Sequence, residues 1–557
     1  MRIIKFILEI IVEFLIILTA FLISIFLNFK GSIIFSAAML LACIFMLVIG
    51  IRGIAKNRKR NSGALKKFYN LCITAVILVA CISFVESKNF KILNDNKSSS
   101  VYNVVRESMN SKKETEAYNK LFKTVKHNNA EIYYKEDIEP ALDLVYFYLD
   151  KAETRTSSIF KNVENVPITI KFDYDKDVFK SINKDSSDYA GLYNYNNKTI
   201  NIFVENCYSD ILAFNLKNGN FKHYLLHEYS HYKFGQFLDK NKIERDSIPD
   251  WFNEGIAEYM AFGGERGNEP TSIVEFSKLK DIKDWNKYNN EKYTVYEQAH
   301  YAVNRLIALK GENAISQIIL KTKESNFETA FKEASGVSLE EYQKQLQEDM
   351  NNKWKQYNKL IKPITLKDED DNIRVKGLLA YADKNTNNID PLLDAETIYS
   401  GMNRFDKAKE VCKLAVERNP NHSLAWARLG DNYVELLDFK AAQEAYEKAI
   451  SVDKENSAKY ISLSQGLLAV DINKAAETAD KALKFDKSSF TAKEVQYIKN
   501  LKVAADKGNP YPAALSIIKN DYINSNTLKK AFINKLIKDF PSVKNASRSE
   551  LEKIIEK

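Results

Sequence analysis

His227-Glu228-Tyr229-Ser230-His231, followed by Trp251-Phe252-Asn253-Glu254-Gly255-Ile256-Ala257-Glu258-Tyr259, decides how this chain is read. Two histidines four residues apart on a helix share one face, about one turn apart. Both imidazoles can then reach one metal ion. Glu228 falls between them, close enough to act on a water at that ion. Glu254 can supply a third ligand from a second helix. Three protein ligands leave a fourth position for water, which is the catalytic rather than the structural arrangement of zinc. The expectation is therefore a hydrolytic centre holding one zinc ion, with His227, His231 and Glu254 as ligands and Glu228 as general base. For the five-residue motif alone, a surface helix that happens to carry these residues is the bland alternative.

The second segment, with Trp251, Asn253, Glu254, Gly255, Ala257 and Tyr259, resembles the glutamate-ligand helix of the gluzincin metallopeptidases, the superfamily of thermolysin and the aminopeptidase N-like enzymes. By that resemblance His227 and His231 are the paired zinc ligands, Glu228 the general base and Glu254 the third ligand. Glu258, four residues after Glu254 on the same helix face, matches the position of a carboxylate that orients a zinc-bound histidine, an outer partner such ligands usually need. A solvated helix position is its alternative. Tyr296-Glu-Gln-Ala-His-Tyr-Ala-Val-Asn-Arg-Leu306 resembles the helix that begins with the catalytic tyrosine of aminopeptidase N-like enzymes. A phenol there would donate a hydrogen bond to the developing oxyanion; Tyr301 and His300 are the next candidates. No G-x-M-E-N segment occurs, so an aminopeptidase's amine anchor is missing, and the third histidine of a metzincin would fall at Phe237. The resemblance covers about residues 130–350, with sharp motifs only between 227 and 306.

The first 85 residues are different in kind. Uncharged runs at 32–51 and 68–85, and an apolar run at 6–29 carrying Glu9 and Glu13, read as three membrane spans. A cleaved signal peptide is the alternative for the first run. The loop at 52–67 carries seven basic residues and no acid, which places it in the cytoplasm and everything after the third span outside. Residues 1–85 hold ten basic and two acidic residues. The whole chain is also +8, so residues 86–557 balance at 71 against 71 and show no basic bias toward nucleic acid. Of five cysteines only Cys207 and Cys412 lie beyond the spans, so no disulfide framework is indicated. Abundant Ile, Lys and Asn looks like a protein of an AT-rich Gram-positive bacterium.

Polar residues 86–100 read as a tether and 101–127 as a charged stalk. A helical pattern over 138–163 precedes alternating segments at 168–174 and 199–204, both half-buried strand patterns. In gluzincins an edge strand near this place pairs with the substrate backbone, and the resemblance implies that role for Ala190-Gly-Leu-Tyr193 by strand addition; an ordinary internal strand is the alternative. From about residue 364, Trp426, Leu429, Gly430, Tyr433, Ala442, Tyr446 and Ala449 match the tetratricopeptide consensus. Tyr399, Ala408 and Ala415 stand one repeat earlier, and Tyr460, Leu463, Leu467, Ala475 and Ala482 one repeat later with a one-residue deletion. Such repeats form a groove for a peptide or protein, or a packing module over the peptidase.

The expected fold is a multidomain membrane protein. It comprises transmembrane helices in 1–85, a tether and stalk (86–127), an α+β gluzincin-like peptidase domain (128–360), an all-α tetratricopeptide solenoid (364–490) and a helical segment (491–557). The expected function is that of a membrane-anchored, extracytoplasmic zinc metallopeptidase acting on peptides or proteins, with the lipid bilayer as a further partner. The alternative is a catalytically silent peptidase-fold scaffold that binds partners through its repeats. An intramembrane protease is disfavoured because Lys222, His223 and Lys233 sit on the zinc helix.

Overall fold

Alternation of apolar and polar residues builds the sheet on which the site rests. The computed structural model describes residues 120–182, 190–214, 221–263, 269–270, 272–281, 285, 287–289, 294–355, 359 and 369–556. Strands β1 (Lys123–His127), β2 (Ala130–Tyr134), β3 (Ile168–Asp173), β4 (Gly191–Asn194) and β5 (Thr199–Phe203) line up in the order β1-β2-β3-β5-β4. The central three run parallel, while β1 and β4 lie antiparallel at the two edges. The register aligns Val125, Ile132, Ile170, Ile200 and Tyr193 in one row across all five strands. Side chains alternate between faces, so this row falls on one side. Its three isoleucines are fully buried in one core with helices α1 (Leu142–Ile159) and α3 (Phe221–Asn241).

The strands expected at 168–174 and 199–204 are β3 and β5. The helix expected from 138 begins instead as a 3-10 turn, Glu136–Ala141, because Pro140 cannot donate an amide hydrogen to a helical ladder. Residues 123–127, read as the end of a charged stalk, are β1: Asn128 adopts a left-handed φ of 53° and turns the chain straight into β2.

After the sheet the chain is almost wholly helical. A short α2 (Lys176–Ile182) links β3 to β4. Helices α4 (Asp250–Phe262) and α5 (Val295–Lys310) form a second core with α6 (Asn313–Lys321), α7 (Phe327–Ser335) and α8 (Leu339–Asn351), around Trp251, Phe252, Trp285, Val303 and Leu346. The crossing of α4 and α5 depends on Gly255. A Cβ there would sit 2.5 Å from the Ala299 carbonyl oxygen and 2.6 Å from Val303 Cγ2.

Helices α9 (Glu369–Lys384), α10 (Asp390–Gly401), α11 (Phe405–Arg418), α12 (Ser423–Glu435), α13 (Phe439–Val452), α14 (Ser457–Leu467) and α15 (Ile472–Ala482) stack as antiparallel neighbours. They are followed by α16 (Ser489–Asp506), α17 (Tyr511–Lys519), α18 (Asn526–Asp539) and α19 (Ala546–Glu556). Small residues set the spacing: Ala408, Ala415, Ala442, Ala449, Ala475 and Ala482 are all buried, and the Tyr446 ring fills the space a Cβ on Gly430 would need. Asn403 and Leu437, 34 residues apart, both turn the chain with positive φ.

The stack joins the sheet without a break in packing. Lys123–Lys557 is one compact unit, and the first core continues from Ile170 and Leu144 through Leu378 and Leu392 to Leu429. Arg374 on α9 donates to the carbonyls of Ile211 and Leu212, each at 3.0 Å, and to the Tyr148 hydroxyl at 2.9 Å. Tyr208 donates to Asp394 on α10 at 2.9 Å.

The membrane architecture is corrected by this structure. The spans expected at 6–29, 32–51 and 68–85 lie outside the described residues. Among the described residues no helix is long and apolar enough to cross a membrane. Long helices such as α1 and α3 are broken up by charge: Asp150, Lys151, Glu153 and Arg155 on the first, Lys222, Glu228, Lys233 and Lys240 on the second. The multi-pass fold class, the lipid bilayer as partner and the cell-membrane, extracytoplasmic location drawn from those spans are therefore not supported.

Gly255→Ala is expected to destabilise the protein by about 3 kcal/mol, the upper end of overpacking costs. The gain of about 1 kcal/mol in helix propensity is outweighed, because a backbone carbonyl cannot move aside as a flexible side chain can. The midpoint and slope of a denaturant titration check this.

Candidate metal centre

The site forms where α3 and α4 face each other under β4. Helix α4 starts after Pro249, whose extended backbone ends the preceding loop, and stops at Gly263, which takes the left-handed conformation at φ 64°. Arg155 of α1 holds that end, donating to the carbonyls of Met260 at 2.7 Å and Ala261 at 3.2 Å. This clamp ties α4 to α1, and the Gly255 crossing ties it to α5.

Three ligand atoms converge. His227 Nε2 and His231 Nε2 lie 3.1 Å apart, and Glu254 Oε2 lies 3.2 Å from the first and 3.4 Å from the second. An ion bound tetrahedrally at about 2.0–2.1 Å separates its ligand atoms by about 3.3 Å. The triangle therefore has the size that zinc requires. The outer nitrogens are engaged as well: His227 Nδ1 is 2.9 Å from Glu258 Oε1, and His231 Nδ1 is 3.3 Å from Asn253 Oδ1. With Nδ1 facing these outer oxygens, each imidazole points Nε2 inward, where a lone pair can meet an ion. Two lone pairs and a carboxylate oxygen at such range repel one another unless a cation lies between them.

The electrostatics carry the same demand for positive charge. Burial opposes a charge on His227, but Glu254 and Glu258 override it and raise its pKa well above the ordinary imidazole range. Burial would likewise raise the pKa of Glu254, yet His231 and His227 hold its carboxyl far below the usual range. Glu258 is buried too, and His223 and His227 hold it equally low.

Glu228 differs from both. Burial pushes its pKa up, and the neighbouring His227 and His231 only partly oppose this. Its carboxylate lies against β4, where the Tyr193 backbone N–H donates to it. A Cβ on Gly191 would come within 3.1 Å of Glu228 Cγ and 3.2 Å of its Oε1. Glycine at that position leaves room for the carboxylate. β4 pairs only with β5, and its outer edge has no strand partner among the described residues.

Tyr296, at the start of α5, brings its ring to 6.2 Å from that of His227 and sets it edge-on against buried Trp285. The two other candidates lie elsewhere. Tyr301 is fully buried against Trp354, and His300 is buried with its ring stacked on Phe262. Two residues at the site were given no role by the sequence: Asn253, next to Glu254, and His223, whose Nε2 lies 3.2 Å from Glu258 Oε1. A signal for His223 was present, since His223, His227 and His231 repeat at a spacing of four on one helix face.

Residues 150–357 match the model of the collagenase family of peptidases. That family is zinc-dependent, so the match supports a metallopeptidase, a hydrolase whose substrates are peptides or proteins. Residues 397–422 and 424–456 match the tetratricopeptide repeat, which supports protein interaction. The chain is 28% identical over 233 residues to YhcO, an uncharacterized protein of Bacillus subtilis (strain 168), covering 41% of this chain and 72% of that one. Over 55 residues it is 42% identical to the heat-shock protein cognate co-chaperone sgt12 of Aspergillus fumigatus, covering 10% of this chain and 16% of that one. Among solved structures, the MamA protein aligns with 32% of this chain and 88% of its own, at 18% identity and a TM-score of 0.23, a likeness too slight to bear on the fold.

Glu254→Ala is expected to weaken zinc binding by more than about 100-fold, beyond the 10–100-fold typical of an outer partner, and Glu258→Ala to fall within that lower range. Chelator competition on the purified chain orders the two. Equal losses, or a larger loss for Glu258→Ala, would exchange their assignments.

Proposed function

We propose that this chain is a zinc-dependent peptidase of the gluzincin type that hydrolyses peptide bonds, with one ion held by His227, His231 and Glu254. In this reading residues 128–360 are the catalytic part, and the repeats of 364–490 bind a peptide or protein. The observation that carries it is the triangle of ligand atoms, 3.1–3.4 Å on each side, with buried Glu228 beside it on the same helix.

Zinc, when bound, supplies Lewis acidity to the scissile carbonyl and lowers the pKa of a water in the open position. Glu228 takes the proton of that water and passes it to the leaving amine. Its raised pKa suits both halves of the task, because a carboxylate in an apolar wall accepts a proton more readily than one in water. Gly191 and the Tyr193 N–H keep its oxygens in place. An extended substrate adds to the outer edge of β4, alongside the Tyr193 N–H that Glu228 occupies, so its main chain runs past Glu228. Tyr296 donates its phenol hydrogen to the carbonyl oxygen as that oxygen becomes anionic.

Glu228→Gln is expected to retain zinc and fold while losing nearly all hydrolysis of a peptide library, since only the proton acceptor is removed. Retention of more than roughly a few per cent of wild-type turnover would sink the base assignment. A wild-type chain that binds zinc and turns over no peptide would instead identify a silent scaffold.

Tyr296→Phe is expected to lower kcat about 10²-fold with little change in KM and none in zinc content, because the lost hydrogen bond forms only in the transition state. Normal turnover by this variant would move the oxyanion donor to another segment.

A further inference from the structure

The outer carboxylate of the site is shared. Glu258 Oε1 lies 2.9 Å from His227 Nδ1 and 3.2 Å from His223 Nε2. Both histidines project from α3, one turn apart, with their rings stacked at 6.0 Å. A buried carboxylate needs several partners to offset its lost hydration, and among the described residues Glu258 meets these two imidazoles. The His223 ring is itself held: Phe262, in the last turn of α4, packs edge-on against it at 4.9 Å, and Tyr224 at 5.9 Å. Phe262 in turn ends the helix that Arg155 clamps.

We infer that His223 is a positioning residue for the metal centre, acting through Glu258. It anchors the carboxylate so that its charge, 2.9 Å from His227 Nδ1, steadies the ring with Nε2 aimed at the ion. This inference rests on the zinc reading above. A second cation between His223, His227 and Glu258 is the competing use of the same atoms, which all lie within 4.8 Å of one another. It would leave one imidazole bridging two metals. A single carboxylate placed as counter-charge between the two imidazoles accounts for both short distances without that cost.

The test uses the full chain and zinc itself as probe. His223→Phe keeps a ring against Phe262 and Tyr224 but has no donor, whereas His223→Gln keeps an N–H near the position of Nε2. Chelator competition is expected to show His223→Phe binding zinc about 10-fold more weakly than wild type, and His223→Gln within about 3-fold of it, with both metal-free variants still folded by cooperative thermal melting. In a Glu258→Gln background His223→Phe should add no further loss, since both changes break one linked pair. Wild-type affinity in His223→Phe, a His223→Gln variant as weak as His223→Phe, or full additivity with Glu258→Gln would each overturn the inference. So would a wild-type stoichiometry of two zinc ions falling to one in His223→Phe, which would make His223 a ligand. Failure of the wild type to bind zinc would overturn the zinc reading and this inference together, and is separated from the other outcomes by being seen before any substitution is made.

Discussion

Two carboxylates one turn apart on α4, Glu254 and Glu258, are buried against three imidazoles one turn apart on α3. Neither helix could bury its charges alone, because an unpaired ion in the interior is far too costly. The pairing therefore sets the distance and register between the helices, and much else in the domain serves it. Gly255 permits the close crossing of α5 behind α4, Arg155 pins the α4 terminus, and β4 closes the third side with a glycine opposite Glu228. The same seam that holds the helices together presents three ligand atoms at the corners of a metal-sized triangle.

The environment separates the carboxylates by role. Glu254 and Glu258 each face histidines and stay ionised, the state that their proposed roles as ligand and as partner of the imidazoles require. Glu228, beside His227 on α3, meets burial that His227, His231 and the Tyr193 N–H offset only in part, so its proton affinity rises. Three glutamates in one small volume thus differ because of what touches them.

Much of this was legible because it is local. The paired histidines, Glu228, Glu254 and Glu258 obey helical spacing, and helical spacing survives folding unchanged. The strands at Ile168–Asp173 and Thr199–Phe203 show themselves by alternation, and the repeats by a period of 34. What was missed depends on partners from elsewhere in the chain. β1 has the sequence Lys-Thr-Val-Lys-His, with one aliphatic residue, and is a strand because β2 offers it an edge. His223 has meaning only beside a carboxylate from another helix, and Gly191 only beside Glu228. The membrane reading drew on apolar runs outside the described residues, and the long helices that are described carry charges throughout.

The first core passes from the sheet into the repeat helices without a polar seam. Leu212 and the Pro140 carbonyl crowd the spot where a Cβ on Gly377 would stand, and Arg374 satisfies three consecutive backbone carbonyls, Ile211 through Ala213, at the end of the segment after β5. Cutting the chain at about residue 360 would strip that cover from Leu144, Tyr148, Ile211 and Leu212 and leave carbonyls without donors. The repeats are thus part of the wall of the body that carries the candidate metal centre, and a protein seated on them would be held at a fixed bearing to that centre, as a workpiece is held by a jig.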